Sequence, residues 1–87
     1  MMVEHEKTKL EQLVNAISRS IGQLIEKKEL LEARRNFIRS SARYRPRQAE
    51  ETKRMLEEVS NELVSIELDI VLKNEEIRGI LTKIHGI

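Results

Sequence analysis

The residues best suited to chemistry in this chain are arginines. Between positions 34 and 54 stand Arg34, Arg35, Arg39, Arg43, Arg45, Arg47, Lys53 and Arg54, eight cations against two anions, Glu50 and Glu51. A guanidinium presents a rigid fork of donors that matches phosphate or carboxylate two bonds at a time. Tyr44, the single tyrosine, adds a flat ring able to stack on a base. Ser40 and Ser41 can donate to phosphate oxygens. The chemistry is that of docking an anion, with nucleic-acid backbone or an acidic protein as the expected partner. The same charges also serve solubility, and those near the end of a helix complement its dipole.

Other chemistry finds little support. With no Cys there is no disulfide, thiolate metal site or thiol nucleophile. The chain has no Gly-rich phosphate loop, no Gly-x-Ser-x-Gly and no Glu-x-x-His pair. Its carboxylates, among them Glu26, Glu29, Glu32, Glu57, Glu58, Glu75 and Glu76, lie among Lys and Arg at helical spacing, as a solvated, ion-paired face requires. His5 and His85, with Glu4 or Glu6, are too few ligands to close a tetrahedral zinc site. The sequence therefore predicts no enzyme, no metal and no cofactor.

Ser65 and Asp69, in the run Ser-Ile-Glu-Leu-Asp, have the Ser-x-x-x-Asp spacing of the small helical-hairpin phosphatases that act on sporulation regulators, and in this the run resembles that family. There the motif lies much closer to the turn and the first helix is shorter, so the activity is not carried over.

The elements that must position these residues follow from periodicity. Val3, Leu10, Ile17, Leu24, Leu31 and Ile38 recur every seven residues, all large and aliphatic. A second row four residues on reads Lys7, Val14, Ile21, Lys28, Arg35 and Ala42, and Leu13 and Ile25 widen the stripe. This is a helix and heptad pattern. It resumes as Ala49, Leu56, Leu63, Ile70, Ile77 and Ile84, with Thr52, Val59, Ile66, Lys73, Ile80 and Ile87 beside it. Between the two patterns stands the only proline, Pro46. A residue preceding proline avoids the α region, and proline suits the first turn of the next helix.

Folding the chain about residue 45 sets the rows level: Leu10 with Ile80, Leu24 with Ile66, Leu31 with Val59. The fold class predicted is all-α, an antiparallel coiled-coil-like hairpin forming one domain over 1–87. Helix 1 runs from about 3 to 43, the tip from about 44 to 46 and helix 2 from about 47 to 85. The competing arrangement, one continuous helix kinked at Pro46, would carry a proline costing about 3 kcal/mol. Gly22 falls inside helix 1, either as a tolerated weak spot or as a place of close helix crossing. Lys28, Arg35 and Lys73 fall on or near the seam, where long cationic side chains bury their stems and reach water with their charges.

The seam does not use all the apolar surface. Leu30 and Phe37 on helix 1, with Val64, Leu68, Val71 and Leu72 on helix 2, lie on faces away from it. Two such stripes predict a partner or dimer surface, and a second copy would complete a four-helix bundle.

Composition bounds the class. Of 87 residues 36% are charged and 2% aromatic, as in long helices that leave little buried core per chain. The net charge of +1 conceals an uneven distribution: residues 1–33 carry −1, 34–54 carry +6 and 55–87 carry −4. No apolar run has the length of a membrane span, and the charged start has no signal-peptide core, so a cytoplasmic protein off the membrane is expected. The functional expectation is a self-associating, non-enzymatic interaction module that docks an anionic partner through Arg39, Arg43, Tyr44, Arg45, Arg47 and Arg54. The alternative is a protein adaptor or oligomerisation module that binds a partner helix through its outer stripes.

Overall fold

The structure, a computed structural model, describes residues 3–42 and 49–86. It contains two helices, α1 (Glu4–Ala42, 39 residues) and α2 (Ala49–Ile84, 36 residues), and no strand among the described residues. At 1.5 Å per residue they are about 58 and 54 Å long. The molecule measures 66 × 16 × 12 Å, so the two helices lie side by side and not end to end. Six residues, 43–48, join them. The seven Cα–Cα steps involved reach at most about 25 Å, too short to carry the chain back along a helix. The pair is therefore an antiparallel hairpin, and the single kinked helix is excluded. Arg43, Tyr44, Arg45, Pro46 and Arg47, together with the whole expected tip, lie outside the described residues, as does Ile87.

Local chemistry sets the ends. The Val3 carbonyl accepts from the Lys7 amide at 3.1 Å and opens α1. Glu4 and Glu6 in the first turn of α1, and Glu50 and Glu51 in that of α2, lie at the positive end of each helix dipole. Arg39 and Lys83 lie at the negative ends. Beyond Ile84 the chain leaves the helix through Gly86, whose φ of +74° is the left-handed conformation of a C-cap glycine. Its amide donates to the Lys83 carbonyl at 3.2 Å, the inner bond of a Schellman motif.

The heptad rows form the seam. Leu31, Ile38, Val59, Leu63 and Ile66 are buried, and Leu24, Met55, Leu56 and Ile70 pack against them. Eight of the nine lie in the half of the hairpin nearest the interhelix connection, and Ile70 lies just beyond the middle of α2. Leu10, Val14, Ile17 and Ile21 of α1 and Ile77, Ile80 and Ile84 of α2 face the same seam in the other half but remain half-buried. Four apolar residues depart from expectation: Val3, 62% exposed, and Ala49, also exposed, stand at helix starts, and Leu13 and Ile25 stand within α1. Leu13 and Ile25 do not join the stripe but stand 48% and 43% exposed, because they fall beside the two rows and a two-helix seam is only two rows wide.

Of the seam cations, Lys28 is half-buried and its ammonium reaches Glu67 Oε1 on α2 at 3.5 Å and Glu32 Oε1 at 4.0 Å. Its stem lies on the seam and its charge at the rim. Arg35 and Lys73 are also half-buried, and Arg35 Nε finds no hydrogen-bond partner among the described residues.

Candidate functional site

The hairpin brings the two halves of the basic stretch to one end. Arg34 and Arg39 come from the last turns of α1, Lys53 and Arg54 from the first turns of α2, and all four are exposed. Glu50, Glu51 and Glu57 accompany them. An open depression of about 550 Å³ there is lined, among the described residues, by Glu50, Glu51, Lys53, Arg54 and Glu57. The start of α2 is thus mixed in charge, and the surplus of cations rests on α1 and on Arg43, Arg45 and Arg47, which lie outside the described residues.

The two flanks of the hairpin differ. One carries the Lys28–Glu67 ion pair. The other carries an open groove of about 330 Å³ with Leu24 and Ile66 as its apolar lining and Lys27, Glu62, Ser65 and Asp69 around them. Ser65 and Asp69 therefore share that groove, in which one cation stands among two carboxylates.

These flanks fix where the outer stripes lie. On a helix, residues three or four apart stand one above the other. Leu30 is three past Lys27 and Phe37 three past Arg34, so Lys27, Leu30, Arg34 and Phe37 form one row along the groove flank of α1. Val64 is three before Glu67 and Val71 four after it, so that row runs along the ion-pair flank of α2, with Leu68 on the back of the helix. Leu72, three past Asp69, turns toward the groove flank. Leu30 and Phe37 are 73% and 72% exposed, and Val64, Leu68, Val71 and Leu72 are between 53% and 64% exposed. Leu30 and Phe37, and Val64 with Val71, all legible as residues off the seam, thus lie on opposite flanks, with Leu68 and Leu72 on the back of α2 between them. That separation follows from row arithmetic but needs the ion pair and the groove to say which flank is which.

Among the described residues no charged or polar side chain is buried, and no three His, Cys, Asp or Glu side chains converge as a metal site would need. His5 and His85 are both exposed. No helix among the described residues is long and apolar enough to cross a membrane. Compared with known protein families, with curated proteins and with solved structures, the chain matches none.

Proposed function

We propose that this hairpin is a non-enzymatic interaction module that docks an anionic partner, foremost a nucleic-acid backbone, through its arginine-rich end, and that it self-associates through its outer stripes into units of four helices. The observation that carries the docking reading is the charge distribution: residues 34–54 hold a net +6 on a chain of net +1, and the antiparallel fold collects the described part of that stretch at one end of the rod. Arginine forks there bind phosphate oxygens and release condensed counterions. Such contacts position a protein without reading bases, so little sequence preference is expected. The amounts of duplex bound at several salt concentrations test the reading. Replacing Arg43, Arg45 and Arg47 together by Ala should lower the slope of log K against log salt by up to about 3 and leave helicity unchanged. A wild type without affinity for duplex at low ionic strength would overturn it.

A second reading rests on a separate observation, the exposure of the outer stripes. Large apolar residues clustered in this way mark a protein-binding surface, and an adaptor that grips a partner helix there would need no contribution from the basic end.

A further inference from the structure

The outer stripes differ in more than flank; they differ in charge. The α1 stripe is a row of Lys27, Leu30, Arg34 and Phe37, two cations interleaved with two large apolar side chains. The α2 stripe, Val64, Leu68 and Val71, is bordered by Glu67 and continues one turn on into Glu75. Glu67 meets Lys28 at 3.5 Å and Glu75 meets Arg78 at 3.8 Å, yet the two carboxylates remain 57% and 63% exposed. Surface pairs of this kind leave most of a carboxylate's bonding capacity to water or to a partner. Both stripes also repeat at seven residues, Leu30 to Phe37 and Val64 to Val71, the interval that lets two helices interdigitate over successive turns.

We infer that the occupant of the α1 stripe is the α2 stripe of a second copy of this chain. Like stripes repel: two α1 stripes would set Lys27 and Arg34 against their own images, and two α2 stripes would do the same with Glu67 and Glu75. Unlike stripes pair apolar with apolar at a common repeat and cation with anion at the rim, which selects one arrangement over the other two. Because the stripes lie on opposite flanks, one face-to-face pair of hairpins cannot bury both. Each contact leaves one stripe of each kind open, so the association is heterologous and continues to further copies. The inference rests on the self-association reading, in which each contact joins two hairpins as four helices, and extends it from one pair to a series of such contacts; it is independent of what the basic end binds.

Mixing two blocked chains tests it. Phe37→Glu disables the α1 stripe and Leu68→Glu the α2 stripe, because a carboxylate buried in an apolar contact must shed water without a partner. Both positions are more than half exposed in the hairpin, so neither change disturbs the seam. In sedimentation velocity the wild type should grow in mass with concentration. Each variant alone should lose more than about tenfold in association constant. An equimolar mixture should regain association but stop at a one-to-one pair, since only one compatible contact remains. Leu30→Glu with Val71→Glu is the second pair and should behave alike, with circular dichroism confirming the helices in all four. If Leu68→Glu alone stays associated while Phe37→Glu alone does not, or the reverse, like stripes meet and the inference fails. It fails too if the mixture stays monomeric or the wild type is monomeric throughout. A monomeric wild type that still binds duplex overturns self-association alone, and an associating wild type without affinity for duplex overturns docking alone.

Discussion

A Cβ added at Gly22 or Gly79 would meet no heavy atom within 4 Å, whereas Gly86 holds a φ of +74° that L side chains rarely adopt. The three glycines should therefore respond to alanine with different signs. Gly22→Ala and Gly79→Ala each remove backbone entropy from a helix interior at no steric cost and should stabilise the hairpin by up to about 1 kcal/mol. Gly86→Ala places a Cβ in the left-handed region and should cost about 1 kcal/mol, confined to the last turn of α2. Urea unfolding followed by circular dichroism reads all three. Among the described residues of one chain nothing crosses Gly22 closely. If Gly22→Ala raised helicity but weakened self-association, the close approach would come from a neighbouring copy. At the same scale, Lys28 shows why a charge on a heptad row need not break the seam: its stem packs while its ammonium reaches Glu67. Glu67→Gln should cost less than about 1 kcal/mol, since both partners keep much of their surface in water.

The helices pack unevenly along their length, which gives the hairpin a gradient of stability. Every buried residue among those described, Leu31, Ile38, Val59, Leu63 and Ile66, belongs to the half nearest the connection. Ile66→Ala removes buried methylenes from a packed site and should cost roughly 2–5 kcal/mol. Ile17→Ala, at a half-buried site in the other half, should cost distinctly less, because part of that side chain already meets water. Amide exchange should then be fastest at the start of α1 and the end of α2. Much of this packing was legible in the sequence. The seven-residue rows named every buried residue among those described, and folding about residue 45 set Leu24 level with Ile66, which line one groove, because aliphatic spacing alone decides which stripe can be covered. The gradient was not legible, since Leu10, Ile17 and Ile80 are as apolar as Leu31 and Val59 and sit in the same rows. Leu13 and Ile25 were drawn into the stripe by hydropathy, which does not record that a seam of two helices covers only two rows. The Gly86 cap went unread, although a glycine two residues past Ile84, the last position of the main row, is a recognisable stop signal. Of the candidate site, the outer stripes could be read as residues left over from the seam. Arg43, Tyr44, Arg45 and Arg47 lie outside the described residues.

For the whole molecule the decisive feature is a rod charged unlike along its length, with +6 on residues 34–54 and −4 on residues 55–87. The antiparallel fold holds Arg34 and Arg39 beside Lys53 and Arg54 at one end. These cations are gathered in the folded hairpin and dispersed in the unfolded chain. A polyanion that binds this end should meet more cations at once on the folded state than on the unfolded one. It should therefore stabilise the hairpin by mass action, by about 2.7 kcal/mol at a hundred times its dissociation constant. For a domain of this size that corresponds to a rise in melting midpoint on the order of 10–20 °C. The rise should shrink as salt is added, because counterion release drives the binding. It should fall sharply in the chain with Arg43, Arg45 and Arg47 replaced by Ala, and persist in Leu68→Glu, which leaves the basic end intact. Short duplex, short single strand and polyglutamate make the three arms of a thermal-unfolding series. A shift with nucleic acid but not polyglutamate supports phosphate recognition by guanidinium, and loss of the single-strand shift alone in Tyr44→Ala adds stacking to it. An equal shift with polyglutamate makes the end a generic anion dock suited to an acidic protein. No shift with any of the three leaves the cations as a solvated face and passes the function to the apolar stripes.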